Sequence, residues 1–167
     1  KECTTNIINR LLKHSDGNVY AFCNRSVFKC SMNQTVETVF PDIAIPSPTY
    51  SVAQAPDKDI YIGTESNGLY IYSENWKLKK HVPIDGIIAT ILPDNNGDIW
   101  LGLDETGICL FNKNKQTFTW LHKDNTNLNN NSIRTFVSYG DSSILVGTFR
   151  GLNILNKKEL TITPANI

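Results

Sequence analysis

The stretch that decides the fold is Asp94-Asn95-Asn96-Gly97-Asp98-Ile99-Trp100-Leu101-Gly102-Leu103-Asp104-Glu105-Thr106-Gly107-Ile108-Cys109-Leu110-Phe111. Asn96-Gly97 marks a tight hairpin, because glycine takes a positive φ without steric cost. The apolar run Ile99 to Leu103 reads as one strand. Asp104 to Gly107 turns the chain, and Ile108 to Phe111 reads as the next strand. Upstream, Ile87 to Leu92 is an apolar run closed by Pro93. Downstream, after a polar turn over Asn112 to Gln116, Thr117 to Leu121 alternates Phe118 and Trp120 with threonines. Four short strands therefore fit into about 35 residues, and no segment shows sustained helical spacing with caps.

The same pattern recurs along the chain. Asp59-Ile60-Tyr61-Ile62-Gly63-Thr64 and Ser143-Ile144-Leu145-Val146-Gly147-Thr148 align with Asp98-Ile99-Trp100-Leu101-Gly102-Leu103. A second glycine with an apolar run follows each block, at Gly68, Gly107 and Gly151. The first glycines lie 39 and 45 residues apart. A fainter copy, Asp16-Gly17-Asn18-Val19-Tyr20-Ala21-Phe22, stands 41 residues ahead of the second and carries Phe22 in the glycine's place. Self-similarity at about 40 residues, with four strands per copy, is the pattern of propeller blades. The expected architecture is all-β. Residues 1–167 would form a partial β-propeller of about four blades, over 6–40, 50–82, 87–122 and 132–163. The repeat positions Gly63, Gly102 and Gly147 are expected where backbones approach closely. Gly68, Gly97, Gly107 and Gly151 are expected at turns or where strands restart, and Trp100 in an interblade core.

Composition narrows the function classes. Sixteen Lys and Arg balance sixteen Asp and Glu, so the net charge is zero. Phosphate backbones call for a basic excess, so no nucleic-acid partner is expected through this region. No apolar run approaches the roughly 20 residues of a membrane span. Hydrophobic content of 40% is enough for a packed core. The chain opens on Lys1 without a recognisable signal peptide, and it is expected to be processed or cut from something longer. Cys3, Cys23, Cys30 and Cys109 show no metal spacing. A Cys3–Cys30 bridge is open in an oxidising compartment, with half-buried free thiols as the plainer expectation. His14, His81 and His122 are scattered, so neither a metal site nor a cofactor is expected.

The residues Asp94, Gly97, Ile99, Trp100, Leu101, Gly102, Gly107 and Ile108 together resemble the two-component regulator propeller repeat. The stretch Asp124-Asn125-Thr126-Asn127-Leu128-Asn129-Asn130-Asn131-Ser132-Ile133 is similar to that family's inter-repeat segment. The resemblance covers roughly residues 50–160. The first repeat departs at Phe22. The fourth has Leu145 at the aromatic position and Gly140-Asp141-Ser142-Ser143 in place of the Asp-x-x-Gly turn. The resemblance implies a piece of the periplasmic sensor region of a Bacteroides-type hybrid two-component protein. In that family two seven-bladed propellers precede a small β-domain, a membrane helix and a histidine kinase. It further implies an oligosaccharide ligand, partners in the rest of the sensor and its signalling domains, and no catalysis by this chain. A propeller-type carbohydrate-active enzyme or lectin, and a protein-interaction scaffold, are the competing readings. Self-association of the fragment is expected, because an open arc exposes apolar faces.

Candidate binding residues follow from loop topology. The turns between second and third strands carry Glu65, Asn67, Asp104, Glu105, Phe149 and Arg150. Phe149 beside Arg150 is the most binding-like pair, since a ring and a planar guanidinium orient sugar hydroxyls. Solvated turns are the plainer reading of the same residues. Asp104 and Glu105 do not by themselves make a hydrolytic carboxylate pair. The stretch from Asp94 to Trp100 fails the sialidase Asp-box spacing. The sequons at Asn24, Asn33 and Asn130 are expected by chance in a chain with 19 Asn. Trp76, in the polar turn Glu74-Asn75-Trp76-Lys77, is expected to be exposed, and Trp120 is ambiguous.

Overall fold

A computed structural model describes residues 7–23, 26–39 and 45–165. Cys3, and with it the Cys3–Cys30 bridge, lies outside the described residues, as do Asn24 and Arg25. The first sheet holds β1 (Ile8–Lys13), β2 (Val19–Cys23), β3 (Val27–Cys30) and β4 (Val36–Val39). The second holds β5 (Thr49–Gln54), β6 (Ile60–Thr64), β7 (Leu69–Tyr72) and β8 (Leu78–Val82). The third holds β9 (Ile88–Pro93), β10 (Asp98–Leu103), β11 (Gly107–Asn112) and β12 (Thr117–Leu121). The fourth holds β13 (Ile133–Tyr139), β14 (Ser143–Thr148), β15 (Gly151–Asn156) and β16 (Ile162–Pro164). Each sheet is an antiparallel meander in chain order. The chain divides into two compact units, Lys1–Asp85 and Gly86–Ile167, each with two sheets.

In the first unit, Leu12, Tyr20, Phe22 and Val27 pack with Ile60, Ile62, Tyr70, Tyr72 and Trp76. In the second, Trp100, Ile108 and Leu121 pack with Ile133, Phe136, Ile144, Val146 and Leu155. Burying each such side chain contributes roughly 1.5–3 kcal/mol. Every residue of β6 is buried, so that strand is covered on both faces, whereas β14 alternates around buried Ile144 and Val146. Trp100 is 1% exposed. Cys109 is fully buried, and that burial pushes its thiol up to about 12. It is therefore an inert core residue, more enclosed than the half-buried thiol expected.

Two glycine positions show why the repeat needs them. A Cβ on Gly102 would lie 2.5 Å from Ile133 Cγ2 and 2.6 Å from Thr90 Cγ2, so only glycine lets the neighbouring sheet approach. In the first sheet Phe22 stands at this position and is fully buried. The residue equivalent to Ile133 in the next sheet is then the smaller Thr49. Gly107 has φ +97, and a Cβ there would meet the Leu121 carbonyl oxygen at 2.5 Å.

Trp76 corrects an expectation. It is 8% exposed, not a surface ring. It closes the β7–β8 turn, where its N–H donates to the Ser73 carbonyl at 2.8 Å, with φ +61. The left-handed backbone turns the indole onto His14, 5.5 Å away, and Tyr20, 4.6 Å away. Lys58 likewise takes φ +70 in the β5–β6 turn, where the first and third sheets use Gly17 and Gly97.

Candidate ligand-binding rim

One backbone clip recurs at the same end of three sheets. The N–H following the second strand donates to the carbonyl preceding the first strand. Glu65 donates to Pro48 at 3.0 Å, Asp104 to Ile87 at 3.0 Å, and Phe149 to Ser132 at 2.9 Å. Beside each clip the first strand slips register. The skipped residues are Asn9, Tyr50, Ala89 and Arg134, one in every sheet. A bulge re-aims the side chain it carries. Within each unit, clip and bulge together make a rim on which side chains from neighbouring elements converge.

In the second unit this brings three residues together. Arg134 Nη1 donates to Asp104 Oδ2 at 3.3 Å, and its guanidinium carbon lies 5.4 Å from the centroid of the Phe149 ring. Phe149 is 68% exposed, so the ring offers a broad apolar surface to solvent. The Arg134 fork has five donors, and Asp104 occupies one edge of it. Exposure keeps the attraction modest, since half-exposed ion pairs of this kind contribute about 0–1 kcal/mol. Glu105 is exposed, and its N–H donates to Ser132 Oγ at 3.3 Å. The Arg150 N–H donates to Thr148 Oγ1 at 3.1 Å, and its side chain is exposed. It is thus Arg134, not Arg150, that lies against Phe149.

Sequence reasoning passed over Arg134. The signal it left is a lone charge, directly after Ile133, in an otherwise apolar strand start. In the first unit, Glu65 lines a hollow of about 400 Å³ together with Arg10 and Tyr50. Asn67 is half-buried; its backbone carbonyl meets His81 Nε2 at 2.7 Å, and His81 stacks on Tyr70. A further hollow of about 420 Å³ in the second unit is lined by Asp94, Asn95, Asp141 and Lys157. Lys157 Nζ there lies 2.9 Å from Asp94 Oδ2, so the hollow's lysine is already paired. No cluster of three or more His, Cys, Asp or Glu suited to a metal occurs among the described residues. No helix among them is long and apolar enough to cross a membrane.

Among the described residues, sixteen strands in four antiparallel four-stranded meanders match a portion of a β-propeller. The solved structures that share this arrangement include extracellular domains of two-component systems and a bacterial surface component. One is that of BT4673 from B. thetaiotaomicron, assigned as a hybrid two-component system, at TM-score 0.84 and 18% identity. A second is that of BT3049 from the same organism, likewise assigned, at TM-score 0.76 and 15% identity over 96% of this chain and 25% of that one. PorZ, a surface component of the type-IX secretion system of Porphyromonas gingivalis, matches at TM-score 0.75 and 12% identity, over 93% of this chain and 26% of its own. The BT4673 match covers the whole chain and 22% of that structure, so the chain spans about a fifth of it. No protein-family model matches the sequence, and no curated protein does. At such identities the likeness establishes the fold. Two-component extracellular domains and a secretion component share it, so function has to be argued from the site.

Proposed function

We propose that the chain is a ligand-sensing part of an extracytoplasmic propeller in a hybrid two-component signalling protein, and that it responds to an oligosaccharide. The observation that carries this reading is the convergence of Arg134, Asp104 and exposed Phe149 on one rim. A ring stacks on the apolar face of a sugar, while a guanidinium and a carboxylate serve adjacent hydroxyls as donor and acceptor. The rest of the sensor propeller and its signalling domains would be the partners that turn occupancy into a signal. Periplasmic placement follows from the same reading and is supported by the extracellular domains that share the fold. Self-association of this chain, read by sedimentation across a concentration series, belongs to the same proposal.

The test is a thermal-shift screen of the chain against neutral and acidic oligosaccharides, followed by titration of the hits. Arg134→Ala and Phe149→Ala should each weaken a hit by about tenfold or more, or about 1.4 kcal/mol. Unchanged affinity in both variants would remove the rim from the proposal. Turnover of the saccharide would replace sensing with catalysis.

A further inference from the structure

The first unit carries its own version of the rim. Arg10 on β1, Tyr50 at the β5 bulge and Glu65 at the clip line one hollow of about 400 Å³, floored by Pro48 and Thr49. Tyr50 and Arg134 occupy equivalent bulge positions, and Glu65 and Asp104 occupy equivalent clip positions. The same three chemistries (cation, aromatic ring, carboxylate) therefore recur, assembled from different repeats.

The charges in this hollow differ from those of the second unit in one respect. Arg134 is held by Asp104. Arg10 Nη1 donates instead to its neighbour's Asn9 carbonyl at 2.7 Å, and no ion pair among the described residues joins Arg10 to Glu65. A cation and a carboxylate thus face one hollow without neutralising each other. An anionic ligand would meet Arg10 but be repelled by Glu65, and a cationic ligand would meet the converse. A neutral ligand dense in hydroxyls satisfies both, because each hydroxyl donates and accepts. The volume lies within the range of small-ligand sites.

We infer that the hollow bounded by Arg10, Tyr50 and Glu65 is a second saccharide subsite, selective for neutral over acidic sugar units, so that the chain binds sugar at two places. This rests on the reading of the chain as an oligosaccharide sensor. The ligand stacks on Tyr50, while its hydroxyls accept from Arg10 and donate to Glu65.

The test is isothermal titration of the intact chain with cellotriose, mannotriose and trigalacturonate. A neutral trisaccharide should bind with a stoichiometry of two. Phe149→Ala should reduce that to one, and adding Tyr50→Ala should abolish what remains. Glu65→Gln keeps the shape and removes the charge, so trigalacturonate binding at this subsite should strengthen by about tenfold. A stoichiometry of one that Phe149→Ala abolishes and Tyr50→Ala leaves intact overturns the second subsite while the sensor reading stands. Equal trigalacturonate affinity in the unaltered chain and Glu65→Gln overturns the neutral selectivity. No binding of any probe to the unaltered chain overturns both.

Discussion

Trp76 ties the second sheet to the first through one residue in an uncommon backbone state. Its polar neighbours Glu74, Asn75 and Lys77 gave the sequence the look of a surface turn. A left-handed residue points its side chain where sequence alternation does not, so the burial was not legible. Trp76→Ala should cost about 3–5 kcal/mol, read from chemical denaturation. A loss under about 1 kcal/mol would contradict the packing against His14 and Tyr20. Arg134 was hidden for a related reason. A bulge shifts which side of the strand a residue faces, and residue types do not announce it. The adjacent pair Phe149-Arg150 suggested itself because adjacency in the chain is visible and adjacency in space is not.

Asp16 sets an acid limit on the first unit. Burial pushes its carboxyl up, but the Asn18 backbone N–H, the Tyr20 hydroxyl and His14 outweigh that and hold it well below the ordinary 3.8. A carboxyl depressed in the folded state contributes stability that is present above its unfolded value and lost as pH falls through the folded one. The chain should therefore lose stability as pH drops below about 3.8, and Asp16→Asn should flatten that limb of the profile. Parallel profiles for the two proteins would show that the Asp16 bonds contribute nothing.

The repeat was the most legible feature at the scale of strands. Turn residues and alternating apolar runs mark all four meanders, since each strand's own neighbours determine its pairing. What the residues did not disclose is how each strand is covered. β10 has buried residues on both faces, while β14 buries Ile144 and Val146 and leaves Leu145 half-buried. Val146→Ala should cost about 1–2 kcal/mol, and Leu145→Ala distinctly less than its extra carbons would imply. Equal large losses at both positions would mean that β14 is covered on both faces. Gly102→Val is the sharper test of close approach between sheets. Its methyls would enter space held by Ile133 and Thr90, and the variant should lose more than about 2 kcal/mol.

For the whole molecule, zero net charge suits a neutral ligand, and the charges of each unit repeat that balance locally. Charges of opposite sign come together within each unit by itself: Arg134 with Asp104 in the second, and Arg10 with Glu65 lining one hollow in the first. The balance is local as well as global, which suits an uncharged, hydroxyl-rich ligand better than a polyanion. Clips and bulges build the rim of each unit from backbone geometry, so the backbone frame recurs while the side chains vary from repeat to repeat. The most direct measurement is calorimetric titration of the intact chain with neutral oligosaccharides, repeated on Phe149→Ala and Arg134→Ala. Saturable binding whose component at the Arg134–Phe149 rim each variant weakens by about tenfold or more is the expected result. Absence of binding to every neutral oligosaccharide, or binding that neither variant disturbs, would contradict it.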